Sequence, residues 1–131
     1  MEETLVLIKP DGVKNRLVGE IIKRYEKEEL NIKKLKLVSP SEKLLTLHYA
    51  EHVQRDYFSE MIAFMMSGSV VALVLSGENA IERVRILNGR TNPSEAAKGT
   101  IRGDLAEDLR HNLVHGSDSQ ISAKREILLW F

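Results

Sequence analysis

The chain has 131 residues, no cysteine, and 19 basic and 19 acidic side chains, so its formal net charge is zero. This length suits one domain with a sizeable core. The charge balance gives no support for a general affinity for nucleic acid, and a disulfide framework or thiolate metal site is excluded. No run approaches the ~20 apolar residues of a membrane span. Because a strand-like run begins at once and leaves no room for a signal peptide, we expect a cytoplasmic protein.

The first third of the chain predicts a strand, a helix and a second strand. Leu5 to Ile8 is an apolar run of strand length, and the turn residues Lys9-Pro10-Asp11-Gly12 end it. Apolar residues at helical spacing between Leu17 and Leu30 predict a helix. In the segment 32–37, lysines separate the apolar residues, which predicts a strand that is wet on one face and lies at a sheet edge.

Two more helices are expected next. Ser39-Pro40-Ser41-Glu42 has the pattern of a capping box with Pro in the first helical position. The other helix covers Asp56 to Met66, and Gly68 ends it as the residue after the C-cap. His48 and His52 would lie four residues apart on one helix face, a spacing that zinc can use, but no third ligand accompanies them, so no zinc site is predicted.

The remaining elements complete an α+β pattern. Val70 to Leu75 is a second continuous apolar strand, and the segment 78–87 is helical in period. Arg90 to Gly103 lacks an apolar period, and ordered loops of this length are usually functional. A short helix is expected from Asp104 to Leu109 with Asp104 at or near its N-cap, and a last strand from Ile127 to Phe131. The two most apolar strands should be central, because buried strands lose their polar alternation.

The segment from Asn112 to Ser119 carries the strongest chemical signal. His115 stands beside Gly116, which leaves the imidazole uncrowded on one side. Neutral imidazole is nucleophilic near physiological pH, although covalent catalysis by histidine needs a partner for the other ring nitrogen. The same residues are also typical of a loop between a strand and a helix. From these residues alone, both interpretations stay open.

Three segments in this order resemble nucleoside diphosphate kinases: Thr4 to Gly12, Gly99 to Asp104, and Asn112 to Ser119. The similarity runs as far as Trp130-Phe131. It implies an α+β fold, a ferredoxin-like βαββαβ sandwich with a four-stranded antiparallel sheet and covering helices, in one domain over residues 1–131. It also implies a ping-pong reaction that moves the γ-phosphate of a nucleoside triphosphate, typically ATP, to a nucleoside diphosphate, with broad base tolerance.

The resemblance also implies roles for individual residues. His115 matches the phosphate carrier, Glu126 the glutamate that holds its other nitrogen, and Ser117 the serine that supports this glutamate. Tyr49 matches a tyrosine near the reactive histidine, and Lys9 completes the catalytic set. The residues that match the nucleotide-binding set are Lys9, Arg55, Tyr57, Met61, Arg85, Thr91, Arg102 and Asn112.

Within the nucleotide-binding set, Lys9, Arg85, Arg102 and Thr91 match phosphate ligands, and Asn112 with Lys9 matches the pair on the sugar hydroxyls. Tyr57 stands where the family usually has a phenylalanine that stacks on the base, which a tyrosine ring can also do. Mg²⁺ is expected with the nucleotide, held mainly by phosphates and water rather than by protein ligands. A homo-oligomer, tetramer or hexamer, is also implied.

Two other classes of protein compete with this interpretation. An inactive nucleotide-binding regulator on the same fold would not need His115 and Glu126, which are both present. An RNA-binding module of ferredoxin-like topology places aromatic side chains on its central strands. The runs Leu5 to Ile8 and Val70 to Leu75 contain none, so no nucleic-acid partner is expected.

Overall fold

The computed structural model describes residues 1–131. Its strands are β1 (Glu2–Ile8), β2 (Asn31–Val38), β3 (Val70–Gly77) and β4 (Val114–Gly116). Its α-helices are α1 (Pro10–Lys14), α2 (Val18–Lys27), α3 (Glu42–His48), α4 (Phe58–Met65), α5 (Ala80–Asn88), α6 (Ile101–Leu105) and α7 (Gln120–Trp130), with 3₁₀ helices at Ala50–His52 and Pro93–Glu95. None of these helices combines the length and the apolar character that crossing a membrane requires.

The four strands form one antiparallel sheet in the order β2-β3-β1-β4. β1 pairs with β3 along its whole length, from Glu2 opposite Gly77 to Ile8 opposite Val71. This arrangement confirms the expected α+β class, the antiparallel sheet and the central position of the two apolar strands.

Helices cover both faces of the sheet. Because successive side chains of a strand point to opposite faces, Val6 and Ile8 join a core with α2 and α5, whereas Leu5 and Leu7 join a second core with α3, α4 and α7. Every residue of β3 is buried. Burial on both faces explains why β1 and β3 are continuous apolar runs in the sequence.

The strand β2 lies at one edge of the sheet, as its lysines predicted. Its apolar side chains remain accessible, with Leu35 54% and Leu37 65% exposed. An open strand edge with exposed leucines is a surface that another chain can cover.

The predicted strand from Ile127 to Phe131 is wrong. Residues 127–130 form the end of α7, and the fourth strand is the three-residue β4 instead. A short apolar run does not distinguish a strand from a buried helix segment. The hydroxyl of Ser119 accepts the N–H of Ser122 at 3.1 Å and caps α7. Glu126 is therefore presented by a helix.

The predicted helix from Asp104 to Leu109 is also wrong. The helix in this region, α6, ends at Leu105 and is capped by Thr100, whose hydroxyl accepts the N–H of Gly103 at 2.9 Å. Asp104 lies inside α6, where its carboxylate accepts the N–H of Gly99 and pairs with Arg24. Threonine is also a favourable N-cap residue, and Thr100 takes this position, so the helix begins one turn earlier than expected.

Two smaller boundaries differ for similar reasons. The hydroxyl of Ser41 caps α3 by accepting the N–H of Leu44 at 3.0 Å, so the helix begins after Pro40 rather than at it. The residues after β1 form the first turn of α1, with Pro10 in the first helical position, where its missing N–H costs nothing.

Candidate active site

The strand β4 places His115 beside the central strand β1, opposite Leu7. Gly116 lies against α5, where a Cβ atom would come within 3.0 Å of Asn88 Nδ2 and 3.1 Å of Val84 Cγ1. Glycine therefore allows the close packing of this strand on α5. The side chain of His115 keeps 20% of its surface accessible, so a ligand can reach it.

A buried carboxylate holds the imidazole of His115. Its Nε2 lies 2.8 Å from Oε1 of Glu126, and the Ser117 hydroxyl donates to the same oxygen at 2.6 Å. Burial raises the pKa of Glu126, but the hydrogen bond and charge of His115, with the Ser117 hydrogen bond, outweigh it and bring the pKa below its ordinary value. An ionised carboxylate accepts Nε2–H, which leaves the free lone pair on Nδ1.

His115 lines a cleft of about 300 Å³. The predicted site residues that line it are Lys9, Tyr49, Arg85, Thr91, Arg102, Asn112 and His115. A larger depression of about 790 Å³ opens beside this cleft and shares Arg85, Gly89 and Asp118 with it. The larger one contains no histidine, so the chemistry belongs to the smaller cleft.

Lys9 and Asn112 meet although 103 residues separate them. The ammonium of Lys9, at the end of β1, donates to Oδ1 of Asn112 at 2.9 Å. Burial, followed by the charge of Arg102, lowers the pKa of Lys9 to about 8. The cleft therefore holds a cation that is easily deprotonated and that an anionic ligand would stabilise.

The backbone after Asn112 is held in a strained conformation. Leu113 has a φ of 74°, in the left-handed region that disfavours residues with a Cβ. Its N–H donates to Oδ2 of Asp11 at 3.1 Å, and its carbonyl accepts the N–H of Lys9 at 2.8 Å. These two bonds fix Asn112 relative to Lys9.

Arg102 braces the cleft from α6. Its guanidinium donates to the carbonyls of Gly89 at 2.7 Å, Val114 at 2.6 Å and Asn112 at 3.3 Å. Burial, followed by the charge of Arg85, lowers the pKa of Arg102. Because a guanidinium has five N–H groups, two remain for a ligand.

The structure does not bring three of the predicted nucleotide-binding residues into the lining of the cleft. Arg55 is exposed, and Met61 packs against the core of α3, α4 and α7. Tyr57 is 41% exposed. The hydroxyl of Tyr57 lies 2.7 Å from Nδ1 of His52. His52 itself lines the cleft.

Sequence reasoning missed His52, Asn88, Gly89 and Asp118 as lining residues. The available signal for His52 was its spacing from His48, but the two histidines lie in different helices. The N–H of Trp130 donates to Nδ1 of His48, and Tyr57 bonds His52, so the two rings have separate partners. Asp118 lies three residues after His115, and this proximity was its only signal. Gly89 lies directly before the predicted loop from Arg90 to Gly103 and had no other signal.

The donor set of the cleft determines its chemistry. The imidazole of His115 lies among Lys9, Arg85 and Arg102, and an imidazole held among cations suits phosphoryl transfer. The fold and the cleft are those of a phosphotransferase. The family model for "Nucleoside diphosphate kinase" matches residues 2–131, and the chain belongs to this family.

Curated nucleoside diphosphate kinases match the full length of this chain. The nucleoside diphosphate kinase of Caldanaerobacter subterraneus subsp. tengcongensis is 55% identical over 131 residues, which are 100% of this chain and 94% of the relative. The nucleoside diphosphate kinase of Rubrobacter xylanophilus is 54% identical over 100% of this chain and 98% of the relative. The chain is therefore an enzyme of the phosphotransferase class, as the resemblance predicted.

Solved structures confirm the fold of this family. The apo nucleoside diphosphate kinase of Encephalitozoon cuniculi superposes with a TM-score of 0.98 at 44% identity, covering 100% of this chain and 89% of that one. The halophilic enzyme of Halobacterium salinarum, solved in complex with CDP, gives 0.97 at 44% identity, with 99% and 87% covered. The ferredoxin-like fold expected from the sequence is thereby confirmed.

Proposed function

We propose that this enzyme moves the γ-phosphoryl group of a nucleoside triphosphate, typically ATP, to a nucleoside diphosphate through a phosphohistidine at His115. The observation that carries the proposal is the 2.8 Å bond between Nε2 of His115 and Glu126, because it leaves Nδ1 free as a nucleophile. We further propose that residues 1–131 form one catalytic domain.

The transfer takes place in two half-reactions. The lone pair of Nδ1 attacks the γ-phosphorus, the N–P bond forms, and the bond to the bridging oxygen breaks, so the nucleoside diphosphate leaves with that electron pair. The ring becomes cationic, and ionised Glu126 stabilises it through Nε2–H. In the second half-reaction, a β-phosphate oxygen of another diphosphate attacks the phosphorus, and Nδ1 recovers its lone pair.

The kinetic test of this proposal uses both substrates together. If the first product leaves before the acceptor binds, double-reciprocal plots at several fixed acceptor concentrations are parallel. Lines that intersect would indicate direct transfer in a ternary complex and would overturn the phosphohistidine mechanism.

The other site residues are proposed to bind the nucleotide. Arg85, Arg102 and Thr91 surround the position of the phosphates together with Lys9, while Lys9 and Asn112 contact the sugar hydroxyls. Their common placement in one cleft supports these roles. Tyr57 is proposed to stack on the base, with Met61 and Arg55 nearby. Tyr49 is proposed to assist beside His115.

Mg²⁺ is proposed to enter with the nucleotide. Asp118 is the one carboxylate that lines the cleft, and the other charged groups there are cations or histidines. Mg²⁺ prefers an octahedron of oxygen ligands. This donor set fits an ion held by phosphate oxygens and water, with at most one carboxylate from the protein.

Base recognition is expected to be weak and sugar recognition strong. A stacked ring accepts every base and contributes about 1–3 kcal/mol, whereas Lys9 and Asn112 are polar and placed together. We expect similar kcat/KM values for ATP, GTP, CTP, UTP and their deoxy forms, and much lower values for 3′-deoxy analogues. A preference beyond roughly a hundredfold for one base would require a polar discriminator and contradict this view.

Lys9 should make phosphate use sensitive to alkaline pH. Its pKa is near 8, and only the ammonium form attracts phosphate, so the contribution of Lys9 to kcat/KM should be full well below pH 8, half lost near pH 8 and lost above it. The logarithmic slope should approach about −1 for a single proton. In Lys9→Arg the side chain stays charged, so the decline should disappear even if the rate is lower. A wild-type profile that stays level to pH 10 would contradict the role.

The oligomer is proposed to cover the exposed edge of β2. Leu35 and Leu37 are exposed there, next to lysines, which supports an assembly that buries this strand. Mass photometry distinguishes a tetramer from a hexamer.

We also propose that the enzyme is located in the cytoplasm, where nucleotides are abundant.

A further inference from the structure

His48 is a buried imidazole that the proposed mechanism does not use. It lies at the end of α3, is 4% exposed, and packs edge-on to His115 with ring centroids 4.6 Å apart and planes at 74°. Tyr49 and Trp130 contact the same ring edgewise, at centroid distances of 4.6 and 5.6 Å. The imidazole of His48 therefore packs against one side of the imidazole of His115.

Trp130 fixes the tautomer of His48. An indole N–H is a donor only, so its 3.0 Å bond to Nδ1 of His48 requires a lone pair on that nitrogen and places the proton of the neutral ring on Nε2. Burial, followed by the charges of His115 and Arg125, lowers the pKa of His48 to about 2. The ring is therefore neutral and has no free lone pair.

The neutral ring of His48, with its proton on Nε2, lies next to His115 and Glu126. One ligand-type atom each of His48, His115 and Glu126 lies within 4.8 Å of the others. A free lone pair on His48 would compete with Glu126 for the proton of His115, and a charge on it would repel the cationic phosphohistidine. The indole N–H of Trp130 prevents both, since it occupies Nδ1 and keeps Nε2 protonated.

The hydrogen bond to Glu126 does not by itself select one nitrogen of His115. Either ring nitrogen can donate to a carboxylate, and rotation about the side-chain bonds of His115 would exchange their roles. A ring packed edge-on restricts that rotation. Reactive groups displaced by about 1 Å can lose about a hundredfold in rate, so such a restraint is chemically significant.

We propose that His48, locked by Trp130, is a positioning residue that keeps Nε2 of His115 on Glu126, so that Nδ1 alone receives the phosphoryl group. This inference rests on the proposed function. It assigns His48 no contact with the nucleotide, and its loss should therefore affect the reaction rather than substrate binding.

The first test compares His48→Leu with the wild type. We expect kcat to fall by about 10–100-fold, as for other residues that orient a reactive group, while KM for ATP stays nearly constant. Phosphorus NMR of the isolated phosphoenzyme should show only Nδ1-phosphohistidine in the wild type and a mixture with the Nε2 isomer in the variant. His111→Leu, at an exposed ring outside the cleft, is the control and should behave as the wild type.

Two further variants separate positioning from mere stability. Trp130→Phe frees the tautomer of His48, so nitrogen NMR should show loss of the single tautomer, with lower kcat. The double variant H48F/W130F keeps a flat ring and removes both bonded polar groups together, which is the least costly way to remove a buried pair. It should restore kcat and the single Nδ1 isomer.

The outcomes are distinguishable. If the wild type acquires no phosphate on His115, the proposed function itself fails. If the wild type is phosphorylated, but folded His48→Leu keeps wild-type kcat and the Nδ1 isomer alone, the positioning role is overturned. Should His48→Leu not fold, Trp130→Phe decides in the same way: lower kcat with mixed isomers supports the role, and wild-type behaviour overturns it.

Discussion

Replacement of His115 by Asn should reduce turnover by about 10⁴-fold or more, the scale on which loss of a covalent nucleophile acts. Asparagine has no nitrogen that can attack phosphorus, but it is polar and smaller than histidine, and Glu126 keeps its hydrogen bond from Ser117, so the fold should persist. A coupled assay of nucleoside diphosphate phosphorylation measures the loss, and the melting temperature measures the fold.

The control for this prediction is His111→Asn. His111 is partly exposed, bonds Asp108 and lies outside the cleft. That variant should keep wild-type turnover. A folded His115→Asn enzyme with substantial turnover would show that another group carries the phosphate.

Replacement of Glu126 by Gln should lower kcat by about 10–100-fold, the usual effect of removing a group that orients and stabilises a reactive imidazole. The amide keeps the size and one acceptor oxygen, but it loses the charge that stabilises the cationic ring. Since Glu126 acts on His115 rather than on substrate, KM should change little. Steady-state kinetics with ATP as the varied substrate separates the two parameters.

Glu42→Gln is the matched control for Glu126→Gln, because it neutralises an exposed carboxylate at the start of α3. It should leave both parameters unchanged. A Glu126→Gln enzyme whose only defect is a higher KM would place Glu126 among the nucleotide ligands and would contradict its role on His115.

The parts of the fold that could be predicted are those with a strong local signal. β1 and β3 are buried on both faces, so their apolar runs were unambiguous, and lysines marked β2 as an edge. β4 has only three residues, too few for a periodic pattern. The end of α7 was mistaken for a strand because residues 127–130 are all apolar and their helical partners lie far away in sequence.

The site also divides into residues that the sequence indicates and contacts that it does not. Its residues were predicted by resemblance, and seven of these predicted residues line one cleft. The bond between Trp130 and His48 joins residues 82 positions apart, and it depends on the packing of α7 on α3. No local pattern indicates such a contact. The bond between Tyr57 and His52 is closer in sequence, but it depends on the turn between α3 and α4.

The most direct measurement of the central claim is transfer of label through the isolated protein. The wild-type enzyme is incubated with Mg²⁺ and ATP carrying a radiolabelled γ-phosphate, without acceptor, and is then freed of nucleotide. We predict label on His115 that is stable to alkali and lost in acid, and that moves to a nucleoside diphosphate when one is added. If no label remains on the protein while turnover with both substrates is normal, the phosphohistidine account is contradicted.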